Sequence, residues 1–171
     1  MSDVRTTEGH TAEARQQELA PMDRPLDSAS GKPHLRPLSL SIREHNICFV
    51  VPAGARIDAT RLDLPGGILV LGALRGQVFC SHGSAIIAAG AEFQGEIEAC
   101  DIYVEGKITS PKNASRVSRL RARGTTPEGG AKSGGVAAFG VQSIVHAHIQ
   151  ARAFHVPRQA NFKAAVMEVI E

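Results

Sequence analysis

The chain has 171 residues, 43% of them hydrophobic and 21% charged, which suits one soluble domain with a real core. Aromatics make up only 4%, with no Trp and one Tyr against 17 Gly, so a narrow core of small and aliphatic side chains is expected rather than a layered one. A formal charge of +2 is too small to imply a polyanion partner, and with no long apolar run and no charged-then-apolar amino terminus, neither a membrane span nor a secretory signal is expected and the cytoplasm is the default location.

Residues 1–38 mix acidic and basic residues without a sustained apolar period, and Pro21, Pro25, Pro33 and Pro37 block any long regular element in the second half. This segment is expected to be a disordered amino-terminal tail. Order is expected from residue 39, where Leu40 and Ile42 alternate with serines, followed by Ile47-Cys48-Phe49-Val50-Val51.

From there a five-residue motif returns: small, any, large apolar, any, small. Its copies are Ala55-Arg56-Ile57-Asp58-Ala59, Gly72-Ala73-Leu74-Arg75-Gly76, Ala91-Glu92-Phe93-Gln94-Gly95, Gly106-Lys107-Ile108-Thr109-Ser110, Ala147-His148-Ile149-Gln150-Ala151 and Ala160-Asn161-Phe162-Lys163-Ala164. Successive large residues lie 13 to 19 positions apart, with one gap of 41. That is the footprint of a solenoid with one interruption. The two-residue period of a strand sends the first, third and fifth positions inward and the second and fourth to water. If successive copies stack in register, Asp58 faces Arg75 and Glu92 faces Lys107, pairs of opposite sign that help set register. Val51-Pro52-Ala53-Gly54-Ala55 echoes Ile87-Ala88-Ala89-Gly90-Ala91, and these Gly and Pro positions are expected to be corners. The stretch Ile57 to Pro65 likewise reads like Ile149 to Pro157.

Between the two parts of the repeat, 39–110 and 139–166, residues 111–138 are expected to be a basic, Gly-rich loop insertion. Lys112, Arg116, Arg119, Arg121 and Arg123 crowd its first half, where a short helix from Asn113 to Arg123 would be capped by Asn113 and stopped by Gly124. This cluster is the candidate contact for a polyanion, a nucleic acid or an anionic membrane surface, through phosphate or headgroup attraction alone, since no aromatic interleaves it. Residues 167–171 are expected to be a carboxy-terminal tail. Cys48, Cys80 and Cys100 show no Cys-x-x-Cys spacing and read as reduced apolar fillers, with Cys80 and Cys100 about one coil apart. His146 and His148 share an outward strand face and lack a third ligand, so no metal is expected. The carboxylates Glu92, Glu96, Glu98 and Glu105 read as a solvated face rather than a catalytic cleft. No phosphate-binding loop and no nucleophile beside a base is present, so no cofactor, small-molecule substrate or enzymatic activity is expected.

The run Gly66-Gly67-Ile68-Leu69-Val70-Leu71-Gly72-Ala73-Leu74-Arg75-Gly76-Gln77-Val78, followed by Gly90-Ala91-Glu92-Phe93-Gln94-Gly95-Glu96-Ile97 and Ile102-Tyr103-Val104-Glu105-Gly106-Lys107-Ile108, resembles the bactofilins, bacterial polymer-forming cytoskeletal proteins. The resemblance covers residues 45–110 and, more loosely, 141–166. It implies an all-β, single-domain, right-handed parallel β-helix with disordered tails that polymerises end to end, without nucleotide, into nonpolar filaments. Its implied partners are further copies of itself and cell-wall or envelope proteins, in the cytoplasm or at the inner face of the cell membrane. It also implies an apolar terminal coil, often with a Phe, as the polymer contact, and Phe162 stands where that Phe would be.

Solenoid physics points the same way, because an uncapped end exposes strand edges and a cross-section of the core. The ordered region begins with Ile47 and Phe49 and ends with Phe162, Val166, Val169 and Ile170, so Ile47, Phe49, Phe162 and Val166 are the candidate polymer interface. Two alternatives remain. One is a trimeric left-handed β-helix enzyme of the hexapeptide-repeat acyltransferase or carbonic anhydrase type, which strict six-residue periodicity would mark. The other is a monomeric binding module that uses its basic loop on a polyanion.

Overall fold

The computed structural model describes residues 41, 43–112, 117–125, 134–163 and 166–171. The expected tail at 1–38, Arg116 and the Asn113 cap lie outside them. The described chain is all strand and turn, and every strand pairing in it is parallel. It winds as a β-solenoid of about six turns.

The first turn holds β1 (Ile47–Val51) and β2 (Arg56–Leu64), the second β3 (Gly67–Val70) and β4 (Ala73–Cys80), and the third β5 (Ala85–Ile87) and β6 (Glu92–Ala99). The fourth holds β7 (Ile102–Val104), β8 (Lys107–Thr109) and β9 (Ser118–Ala122), and the fifth β10 (Val136–Phe139), β11 (Ile144–Val145) and β12 (Ala147–Ala151). The sixth closes with β13 (Ala153–His155), β14 (Asn161–Phe162) and β15 (Val166–Val169). Strands β1, β3, β5, β7, β10 and β13 stack into one sheet and the others into a second.

The second sheet is bent into two sides, so each turn has three. The bend falls at Ala59/Arg61, where the register of β2 shifts, and at Gly76 and Gly95, whose φ angles of 135° and 134° suit glycine alone. A Cβ on Gly76 would lie 1.7 Å from the Ala59 carbonyl oxygen of the turn before. At the corner between sheets, a Cβ on Gly72 would strike the Pro52 and Ala55 carbonyls at 2.3 and 2.4 Å. The motif's small ends are therefore imposed by stacked backbone.

Its large centre fills the interior. One column runs Ile57, Leu74, Phe93, Ile108, Val145, Phe162. A second runs Leu62, Val78, Ile97, Leu120, Ile149, Met167. The first sheet adds Val51, Val70, Ile87, Val104 and Phe139. All members of the middle turns are at most 2% exposed. The expected ladder pairs form: Arg75 Nε lies 3.7 Å from Asp58 and Lys107 Nζ 3.7 Å from Glu92.

Three expectations are corrected. The stretch 111–138 is no single ejected loop, because β9 and β10 within it continue the solenoid. Ser118-Arg119-Leu120-Arg121-Ala122 is another copy of the motif, with Leu120 fully buried between Ile97 and Ile149. Its alternation settles the strand over the expected helix, since burying Leu120 in the column places Arg119 and Arg121 in water. The described strands of this region are interrupted at two separate corners, after Thr109 and after Ala122. At the first, the Ser118 N–H donates to Ser110 Oγ at 3.1 Å, the Ser110 hydroxyl to the His146 carbonyl at 2.9 Å, and the Gly95 N–H to Ser118 Oγ at 3.0 Å, which ties the departing and returning strands together.

Second, Ile149 stacks on Leu120 rather than on Ile108, so the likeness of residues 57–65 to 149–157 joins segments on different sides of the coil. Third, Val166–Val169 is a strand, so the coil extends through the expected tail at 167–171 as far as Val169.

Candidate functional site

The two ends differ from the middle in how well they cover the core. In the first turn Phe49, Ile57, Leu62 and Leu64 point inward but stay half-buried, whereas Ile68, Leu74, Val78 and Cys80, directly stacked on them, are at most 2% exposed; Val51 of the same turn is fully buried, and Ile47, half-buried, sits on Gly67 across a register shift. In the last turn Phe162 is half-buried and Met167 and Val169 are 50% and 71% exposed, although Val145, Ile149 and Ala151 beneath them are fully buried. Among the described residues, core side chains at both ends lack the neighbour that a further turn would supply.

Among the described residues, the lead-in to β1 leaves the first end uncovered. Gly67 N–H donates to the Asn46 carbonyl at 2.6 Å and Ser84 N–H to the His45 carbonyl at 3.1 Å, while the His45 ring packs edge-on to Tyr103 at 4.8 Å. Residues 45 and 46 thus run along the flank of the second to fourth turns. Among the described residues β1 pairs with β3 only and β2 with β4 only, so each shows an unpaired edge there. Of the four candidate interface residues, Ile47 and Phe49 lie at this end and Phe162 and Val166 at the other. Phe162 packs edge-on to Phe139 at 5.1 Å, while Val166 faces outward beside His148 and is 60% exposed. Ile57, Leu62 and Met167 join them at these ends, because only stacking shows which inward positions are terminal, and Val169, which the sequence places at the apolar end, stands there as well.

The described basic candidates, Lys112, Arg119, Arg121 and Arg123, do not gather into one patch. Arg119 lies 4.0 Å from Glu96, and Arg121 and Arg123 lie 3.9 and 3.1 Å from Glu98, so carboxylates of the preceding turn answer these arginines. Lys112 stands apart at a groove of about 700 Å³ on another side of the coil, lined also by Arg56, Arg75, Lys107, His146 and Lys163. Outward motif positions hold most of those cations, a signal that only stacking makes legible.

His148 faces outward, with Nε2 3.3 Å from Glu168, whose carboxyl is held below its usual range first by the Gln150 amide and then by His148. Cys80 and Cys100 are buried and Cys48 is exposed, all as free thiols. Burial, and to a lesser degree the neighbouring thiols, push Cys80 up to about 12. Among the described residues no three His, Cys, Asp or Glu side chains converge as metal ligands, and no helix is long and apolar enough to cross a membrane. Comparison with protein families, with curated proteins and with solved structures finds no match for this chain.

Proposed function

We propose that this chain is a non-catalytic structural protein of the bactofilin type. Its solenoid assembles end to end, without nucleotide, into filaments in the cytoplasm or at the inner face of the cell membrane, where they scaffold envelope or cell-shape machinery. The fold is compatible with a structural, filament-forming protein. The observation that carries the reading is the core left open at both ends among the described residues: Met167 and Val169 are 50% and 71% exposed above fully buried Ile149 and Ala151, and Phe49, Ile57, Leu62 and Leu64 of β1 and β2 are half-buried, although Val51 is fully buried. Joining ends would bury these groups and pair the free edges, the two liabilities a terminal turn carries.

The test is electron microscopy with sedimentation of the purified chain, without nucleotide, beside Phe162→Arg. Wild-type filaments that become soluble, still β-rich particles in the variant are the expected result, because the arginine brings a charge to an apolar contact. A wild type that stays a compact trimer or a monomer at high concentration overturns the proposal, and a trimer redirects the search to acyl donors and zinc.

A further inference from the structure

Resting on end-to-end assembly, we infer that the amino-terminal end is a charge-coded two-fold contact, in which β2 pairs antiparallel with β2 of a second copy. The strand reads Arg56-Ile57-Asp58-Ala59-Thr60-Arg61-Leu62-Asp63, and read backwards it complements itself. Set antiparallel about the Ala59/Thr60 bend, Arg56 meets Asp63 of the second copy, Asp58 meets Arg61, and Ile57 meets Leu62. Opposite charges face one another on the outside, and apolar side chains meet inside.

The three-sided turn makes this pairing sterically coherent. A two-fold axis through the bend of β2 crosses the middle of the opposite side, which is β1, and exchanges the two sides of the bent sheet. The same axis lays β1 antiparallel on itself, with Phe49 on Phe49, so this inward residue meets its own copy, and Ile47 comes beside Val51. Burial in β2 alternates on each side of the bend, which allows only registers that keep inward on inward. Shifting by two residues sets Asp58 against Asp63 in one direction and Arg56 against Arg61 in the other. Like charges directly opposite are destabilising, so both neighbouring registers are disfavoured and one remains.

All four charges reach solvent, each already in a surface ion pair of its own copy, Arg56 and Arg75 with Asp58 and Arg61 with Asp63, which the contact would share. Asp58, Arg61, Asp63 and Arg56 side chains are between 57% and 66% exposed, and the Arg61–Asp63 pair, at 2.8 Å, already holds two of them in place on the strand. Contact with the carboxy-terminal end would lack this match, because the stacking register extends Met167 over Leu62 and thereby sets Glu168 on Asp63. An isologous contact at this end, with a second contact at the other, propagates a filament.

The test uses two full-length variants: an acidic end, Arg56→Asp with Arg61→Asp, and a basic end, Asp58→Arg with Asp63→Arg. Each alone should raise the critical concentration for sedimentable polymer by roughly tenfold or more, since apposed like charges are costly. An equimolar mixture should restore filaments. A chain with all four reversals keeps the self-complement, so it should polymerise alone and, mixed with wild type, should form no amino-terminal contact with it, which guards against simple misfolding of either pair. Variants that polymerise alone as wild type does, or losses that mixing does not repair while wild type still forms filaments, overturn the two-fold contact and leave end-to-end assembly standing. A wild type without filaments overturns both.

Discussion

Replacing Leu120 with alanine tests whether the basic stretch after Ser118 is a true turn of the solenoid. Leu120 is fully buried, with Ile97 stacked on one side and Ile149 on the other. Truncation removes the transfer free energy of the lost carbons and leaves a cavity, a combination that costs about 2–5 kcal/mol for buried leucines depending on how far the site collapses. Collapse is restricted here, because the spacing of the neighbouring turns is set by the β9 ladders to β6 and β12. The upper half of the range, roughly 3.5–5 kcal/mol, is therefore expected. The assay is urea unfolding followed by far-ultraviolet circular dichroism, with Val117→Ala as the control. Val117 is 42% exposed at the entry to the same strand, and its truncation should cost about 0.5 kcal/mol or less. A Leu120→Ala cost below about 1 kcal/mol, equal to the control, would refute the placement of β9 in the core and restore the ejected loop.

Further expectations concern glycine, protons and thiols. Gly76→Ala would place a Cβ 1.7 Å from a backbone oxygen and should abolish cooperative folding, whereas Gly54→Ala, with φ of 78° and open space around it, should cost only about 1–2 kcal/mol; thermal melts of both check this. Glu168 has its carboxyl depressed below the ordinary 4.5 by Gln150 and His148, so its contribution is present above that value and is lost as pH falls through the lower folded value. Hydrogen exchange of the β15 amides, corrected for intrinsic rates, should therefore accelerate in acid in the wild type, and Glu168→Gln should remove that pH dependence. Thiol alkylation at pH 8 should label exposed Cys48 quickly and leave Cys80, buried and pushed up to about 12, unlabelled until denaturant is added. Labelling of Cys80 at the Cys48 rate would contradict its burial.

The solenoid was legible because its cause is local. The two-residue period, glycine at the bends and one large apolar residue per inward face are visible in any single copy, and Asp58 with Arg75 and Glu92 with Lys107 could be paired from spacing alone. Leu120 escaped because its copy begins with Ser and lies among arginines, which made charge a louder signal than alternation. The strand Val166–Val169 escaped because apolar residues at a chain end look the same whether they stack or hang free. Ile149 was found but assigned to the wrong column, since a turn with two bent sides repeats the motif twice and sequence spacing does not say on which side a copy falls.

By itself, then, the sequence determined the class of fold, the inward residues of the regular motif copies and the charges that align neighbouring turns, all properties of a strand and its immediate partner. Only the tertiary structure decided which turns are first and last, that arginines 119, 121 and 123 answer carboxylates of the turn before, and that the palindrome of β2 lies on an unpaired edge astride a bend. Those facts depend on the path of the whole coil, because a position becomes terminal, paired or free only through what stacks upon it.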